Sequence, residues 1–396
     1  MDALPILPVI SSRDEAGRFF DDAFIHRASD WSGVNTEVRA VLDSSAERFR
    51  RDTRLRESFW HHHDLLFRRP EDPEYVRLID DAEKDLGDTS NMLQALLFLS
   101  AVPLVSEMHR GLGISEKVTR DTLSDLMIQF HQYKAARGRW GMRNLAWLYN
   151  HLRGRLFQVG RLQFIAGIFR GKLTAYRHRP TGGLAALAHD GIRFRRDGQM
   201  DGTSGVWDEQ AWTSSFRESP DGITGNPIHA NGKASPQKVR LPTPEWHRVL
   251  DATTPVLGVH IPGGSPMTFD ACGQSLKESL DFFTRIFPGK KFEGFECVSW
   301  FLDNQLREIL SPESNLVRFQ KEFHLYPAAE ASDQQTFQRV FGGVPADLAK
   351  APAETSLQRA LLAHLRAGKH FHHGGAFLLV DDMAWGQQPY VRASAL

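Results

Sequence analysis

One long stretch of this chain has no acidic residue: residues 126–189 carry eleven Lys/Arg and not a single Asp or Glu. The rest compensates, since residues 1–125 have a net charge of −8, residues 190–396 a net of −3, and the whole chain sums to zero. Such a block holds positive potential unless an acidic partner packs on it. Cysteine is nearly absent as well. Two residues, Cys272 and Cys297, in 396 exclude a disulfide scaffold. No uninterrupted apolar run approaches the ~20 residues of a membrane span. Met1–Ile10 is apolar but lacks the basic region and small-residue cleavage site of a secretory signal. A cytoplasmic protein without membrane attachment is expected.

Two metal readings also fail. In His61-His62-His63, consecutive residues of a helix point apart. In His370-x-His372-His373, two ligands share a strand face but a third at suitable spacing is missing. No metal is therefore expected. Nor does the chain contain the Gly-x-Ser-x-Gly elbow of a serine hydrolase.

What is present suffices for two domains. Residues 1–150 read as helical: Phe19, Phe20, Phe24, Val38, Val41, Leu42 and Phe49 recur at helical spacing. Ser90 and Ser115 suit helix caps, and Pro103 marks an end or a kink. Residues 151–396 mix strands and helices. Val159–Phe169 and Lys172–Arg177 read as a hairpin turning at Arg170-Gly171. Residues 200–245 are rich in turn formers. Ser311-Pro312 and Thr355 or Ser356 open later helices, Gly368 closes the last of these, and Ala376–Val380 is a final strand.

The centre is Val256–Phe323. Val256–Ile261 is a β-branched apolar run closed by Pro262. Leu276, Leu280, Phe283 and Phe287 mark a helix face ending at Pro288-Gly289, and Phe295–Leu302 is a second strand. Strand, helix and strand make a βαβ unit with parallel strands, whose ligand side is the carboxyl end.

The order of these elements, together with Asp190-Gly191-Ile192-Arg193-Phe194-Arg195-Arg196-Asp197-Gly198-Gln199, Val259-His260-Ile261-Pro262, Cys297-Val298-Ser299-Trp300-Phe301-Leu302-Asp303 and Ser314-Asn315, resembles a bacterial family of acyltransferases. These join a helical N-terminal domain to a GNAT-like C-terminal domain. The resemblance covers nearly the whole chain. It implies an α/β (α+β) fold, a mixed sheet flanked by helices, and acyl transfer from a thioester to an amine or similar nucleophile. The same resemblance implies acyl-CoA or carrier-protein phosphopantetheine as donor, a small molecule as acceptor and, where the donor is carrier-bound, an acyl carrier protein as partner. The loop after the first strand is longer than the usual Gln/Arg-x-x-Gly-x-Gly/Ala. Val259, Ile261, Gly263 and Gly264, with Gly273 and Ser275 at the expected helix start, are the candidates for holding the donor.

Thioester aminolysis needs a base for the acceptor's proton and an acid for the leaving thiolate. His260, at a strand end, suits the base, as does Glu296. For the acid, the resemblance implies a hydroxyl in this region, Tyr326 or Ser299. A competing covalent route pairs Cys297 with His260, Asp303 orienting the ring, as in an acyl-cysteine transferase or thioester hydrolase. A third reading is a non-catalytic acyl or carrier-protein binding module. In the basic block Lys134, Arg137, Arg139, Arg143, Arg153, Arg155 and Arg161 interleave with Trp140, Trp147, Tyr149 and Phe157. Arginine suits phosphate, and Arg155 and Arg161 are candidates for the donor's phosphates. No base-reading motif is complete, so nucleic acid is not expected. The plain alternative is a solvated face neutralised by the acidic N-terminal block.

Overall fold

The computed structural model describes residues 15–68, 86, 89–329, 334–345 and 347–392. Met1–Ile10 lies outside them. The chain divides into two compact units: residues 1–165 with 261–265, and residues 166–260 with 266–396.

The first unit is built from helices α1 (Asp22–Trp31), α2 (Thr36–Arg51), α3 (Thr53–Arg68), α4 (Ser90–Gly111), α5 (Glu116–Leu123), α6 (Asp125–Arg137) and α7 (Leu145–Leu152). Asn35 caps α2 by accepting from Val38 N at 2.9 Å, and Ser115 caps α5 by accepting from Val118 N at 3.3 Å. Val38, Leu42, Ala46 and Phe49 then face one core at helical intervals. The core's centre is α4, buried on every side from Ser90 to Val102. By length and composition alone α4 would span a membrane, but most of it is enclosed within its own unit, as a core helix is. Ser90 is not the cap but the first helical residue, after Thr89, which makes no side-chain cap, and of the two readings of Pro103 the helix end is excluded, since α4 continues through it to Gly111. Lys134 contacts Glu37 at 3.3 Å and lies over the Trp140 ring at 3.8 Å, so part of the basic block meets the acidic block.

A hairpin joins β1 (Leu156–Val159) to β2 (Leu162–Ile168), pairing Val159 with Leu162. The turn is Gly160-Arg161, with Gly160 at φ 65°, where glycine bears no steric cost. Arg170-Gly171 is therefore not the hairpin turn. β3 (Leu173–His178) leaves for another sheet, where it pairs with β4 (Leu184–Ala188).

The turn-rich region resolves into short strands: β5 (Arg193–Phe194), β6 (Trp212–Thr213), β7 (Phe216–Ser219), β8 (Gly222–Gly225), β9 (Pro227–His229), β10 (Lys233–Ala234), β11 (Val239–Pro242) and β12 (Trp246–Leu250). They build a five-stranded sheet β10-β9-β4-β3-β12, a three-stranded sheet β11-β8-β7 and the pair β5-β6.

The central sheet of the second unit runs β2-β13-β14-β16-β15, with β13 (Pro255–His260), β14 (Gly294–Ser299), β15 (His324–Pro327) and β16 (Gly374–Leu379). β13 and β14 are parallel, joined by α8 (Phe269–Ile286), as the βαβ pattern requires. Leu276 and Phe283 bury the expected face of α8. Short α9 (Leu306–Ile309) follows β14, and α10 (Asn315–Lys321) is capped by Ser314, three residues beyond the expected Ser311-Pro312. After α11 (Gln334–Phe341), Thr355 forms a capping box with Gln358 at the head of α12 (Ser356–Arg366). The described chain ends in α13 (Pro389–Arg392).

Candidate active site

The site begins where two parallel strands stop pairing. The β13–β14 ladder joins Val256 to Gly294, Leu257 to Phe295 and Gly258 to Glu296, and goes no further among the described residues. Yet β13 continues to His260 and β14 to Ser299, while β14 stays paired with β16 as far as Ser299 opposite Gly374. Beyond Glu296, then, β14 has lost one neighbour. Val298 accordingly is 51% exposed although its strand lies inside the sheet.

Side chains alternate along a strand, and partners in register share a face. Glu296 and Val298 therefore face the same way as Gly258 and His260. Cys297 faces the other way with Val259. The sheet does not bring Cys297 and His260 onto one face, which the covalent route required. Burial, aided by the charge of Glu296, also pushes the Cys297 thiol up from its ordinary range, away from a thiolate.

The structure does bring together Glu296 and Tyr326. Tyr326 on β15 pairs with Gly375 of β16, and Glu296 pairs with Phe377 two residues on, so the four share one face. The Tyr326 hydroxyl donates to Glu296 Oε1 at 2.8 Å, and the Arg170 amide donates to the same carboxylate at 3.1 and 3.2 Å. Burial raises the Glu296 carboxyl above its usual range, opposed by these hydrogen bonds. Burial and the neighbouring carboxylate raise the Tyr326 phenol well above its own. Phe169 stands edge-on to both Tyr326 and Phe377, at 5.8 and 6.0 Å. Space for the tyrosine ring comes from Gly375, where a Cβ would stand 2.0 Å from Tyr326 Cε2. Ser299 ends β14 half-buried, on the face of Cys297.

Asp303 does not orient His260. It is completely buried and serves His372: the His372 amide donates to Oδ2 at 3.0 Å, and His372 Nε2 lies 3.3 Å from Oδ1. Gln305 N donates to Oδ1 at 2.9 Å. Burial raises the Asp303 carboxyl and lowers the His372 imidazole, each opposed by the other partner. His372, assigned above only to a failed metal motif, is the residue that sequence reasoning missed. Nothing local links it to Asp303, 69 positions away.

The donor-binding candidates divide. Gly273 and Ser275 do not head α8, which starts at Phe269 after Thr268, so their amides are already spent within the helix. Gly273 instead admits Trp385, whose ring would lie 2.4 Å from a Cβ there. Ile261, Gly263 and Gly264 form, with Ser265, the segment that clusters with the first unit. There Gly263 adjoins Ile128, and Arg161 Nη2 donates to the Ser265 carbonyl at 2.7 Å. Arg161 thus fastens the loop, while Arg155 is exposed. Of the histidine clusters, His61, His62 and His63 lie on α3, where His62 Nδ1 meets the Ser58 carbonyl at 2.7 Å. Among the described residues no three His, Cys, Asp or Glu side chains gather as metal ligands.

A βαβ core whose two parallel strands part at a buried carboxylate is an arrangement that suits an acyltransferase of the GNAT-like type. Residues 156–378 match the GNAT-like C-terminal domain model and residues 23–154 the N-acyltransferase N-terminal domain model; the chain belongs to this family of two-domain acyltransferases. No curated protein matches the chain. Among solved structures, it is similar to an acyltransferase in complex with CoA and 10C-teicoplanin, with a TM-score of 0.55 and 21% identity over 96% of this chain and 90% of that one. A complex with decanoyl-CoA and teicoplanin has the same score and identity, over 90% of this chain and 99% of that one. One with decanoyl-CoA has a TM-score of 0.53 at 18% identity, over 89% and 98%. These likenesses concern the fold.

Proposed function

We propose that the protein transfers an acyl group from acyl-CoA directly to an amine or similar nucleophile of a small molecule, without an acyl-enzyme. The observation carrying this reading is the β13–β14 ladder ending at Gly258 and Glu296, with Val298 exposed past it. Strands that part in this way offer backbone at Val259 to an extended pantetheine arm, as a strand edge accepts a peptide. The thioester then lies over the Glu296 face. The donor's phosphates point to the amino end of α8, where the amides of Phe269, Asp270 and Ala271 precede the first helical bond, from Cys272 N to the Thr268 carbonyl. The acyl-CoA and teicoplanin complexes of the similar structures support a CoA thioester and a small-molecule acceptor.

In this reading Glu296 accepts a proton from the attacking nitrogen as the carbon–nitrogen bond forms. Burial raises its affinity for protons, which makes it a stronger base than an ordinary carboxylate. Tyr326, hydrogen-bonded to Glu296, passes a proton to the departing sulfur and is reprotonated from the carboxyl. Cys297, on the opposite face with a raised thiol, takes no part.

The test is thiol release from acyl-CoA and, separately, from the same acyl-pantetheine, each with and without amine acceptors, with products identified by mass. Acceptor-dependent release with one amide per thiol is expected. Release without acceptor would instead mark a thioester hydrolase, and tight binding without release a binding module.

A further inference from the structure

Trp207 is 75% exposed, more than any other large apolar side chain among the described residues. The loop that carries it is nevertheless firmly built. The Gly202 amide donates to the Val206 carbonyl at 2.9 Å, and Arg195 Nη1 reaches the carbonyls of Thr203 and Val206 at 3.5 and 3.4 Å. The Asp208 amide donates to Asp201 Oδ1 at 2.9 Å. Gly202 at φ 83° and Ser204 at φ 53° turn the chain back, the second a conformation that serine adopts only where its surroundings impose it. The indole lies against Gly202, where a Cβ would stand 2.7 Å from Trp207 Cη2, so one ring face is backed by main chain and the other is open. A large apolar ring fixed in water forgoes the gain of burial, and its rigid support means that a partner need not order it first.

The loop stands at the end of the central sheet where the site opens. Thr203 Oγ1 donates to the Ala328 carbonyl at 3.1 Å, just past the end of β15. Pro327 at that end lies opposite Gly374, which lies opposite Ser299 at the carboxyl end of β14. The charges of Arg195 and Asp197, at the root of the loop, bear on His372, two residues before Gly374. This is the end at which β13 and β14 part. The ionic groups of the loop are spent on one another: Arg193 pairs with Asp201 at 3.1 Å, Arg195 with Asp197 at 2.9 Å and Arg196 with Asp208 at 3.1 Å. Recognition at Trp207 therefore falls to the ring face. A single open face meets a flat ring over its whole area but an alkyl chain along one side only.

We infer that Trp207 is a platform for the acceptor, and that the acceptor class is molecules carrying an aromatic ring. The inference rests on the direct-transfer reading above. The acceptor's ring stacks on the open indole face while its nucleophile extends over the sheet end towards Glu296. Trp207 touches the acceptor and no reacting atom, so it governs KM for the acceptor rather than kcat.

The test compares transfer from acyl-CoA to 2-phenylethylamine and to hexylamine by wild type, Trp207→Ala and Trp207→Phe. Trp207→Ala is expected to raise the KM for 2-phenylethylamine about tenfold more than that for hexylamine, with no comparable rise for acyl-CoA, and Trp207→Phe to recover most of the loss. Equal changes for both amines, or no change, overturn the inference and leave direct transfer standing. Transfer to neither amine by the wild type counts against the direct-transfer reading alone. Acrylamide quenching of Trp207, taken as the difference between wild type and Trp207→Phe, then decides. Shielding by 2-phenylethylamine but not by hexylamine supports the platform, and quenching unaltered by either amine overturns it. Quenching that falls with protein concentration instead would mark a contact between copies of the chain and overturn it as well.

Discussion

Gly375 lies opposite Tyr326 in the β15–β16 ladder, and the tyrosine ring occupies the volume where a side chain at Gly375 would begin. The carboxylate–phenol pair therefore depends on a missing methyl group on a third strand. Its neighbour Gly374 is equally constrained, since a Cβ there would stand 2.0 Å from the Leu302 carbonyl oxygen.

Gly375→Ala is expected to push Tyr326 off Glu296 and to cost about 1–3 kcal/mol through overpacking. A thermal melt should fall by several degrees, with transfer lost in step. Gly374→Ala meets backbone rather than a ring, so its melting temperature is expected to drop further. The reverse order would mean that Tyr326 is less free to yield than a main chain.

Glu296→Gln keeps the shape of the pair but not the base. Transfer should fall about 10²–10⁴-fold with the fold intact. The pH dependence has a definite sign. A base works unprotonated, so wild-type activity should rise with pH through a value above the ordinary 4.5 of a glutamate. The same raised affinity means that the folded state holds this proton longer than the unfolded chain, so the group's contribution to stability is greatest in acid and declines as pH rises through that value. A rate profile with its acid limb at or below 4.5 would contradict the assignment.

Cys297→Ala should leave the rate within about twofold, because the thiol is buried, protonated and on the face away from Glu296. Loss of a hundredfold or more, or a covalent acyl adduct in a mass spectrum of the quenched enzyme, would restore the acyl-cysteine route.

His109 sits in the core of the helical unit with Nδ1 2.9 Å from Thr119 Oγ1, and burial lowers its pKa from 6.5 to about 4. As pH falls below 6.5 the unfolded chain takes up a proton that the folded one refuses. Stability should therefore drop between pH 6.5 and about 4, by an amount of order 3 kcal/mol across that interval. His109→Gln should flatten this dependence in denaturant titrations at several pH values. An unchanged slope would show that other groups govern acid unfolding.

Much of this architecture was legible because it is local. The apolar run at β13, the period of α8 and the strand at β14 define a βαβ unit by spacing alone, and Ser115 and Thr355 announce helices through short side chains. The errors lie where chemistry depends on distant partners. Arg170-Gly171 looks like a turn in the sequence, but at the hairpin it is Gly160 that carries the positive φ. Gly273 read as a helix start, whereas its missing side chain makes room for Trp385 from 112 residues away. Alternation along a single strand is enough to separate Cys297 from Glu296. Which of them shares a face with His260 needed the register at Gly258, which no stretch of sequence states. Asp303 and His372 meet only because β16 returns beside β14.

The exposed Val298 carries one more consequence. An apolar side chain on an interior strand is wetted only as long as nothing lies beside it. Seating a hydrocarbon-bearing arm there expels that water, which lowers the heat capacity of the system. Calorimetry of donor association at several temperatures should thus give an enthalpy that grows steadily more exothermic on warming, and Val298→Ser should make that slope shallower.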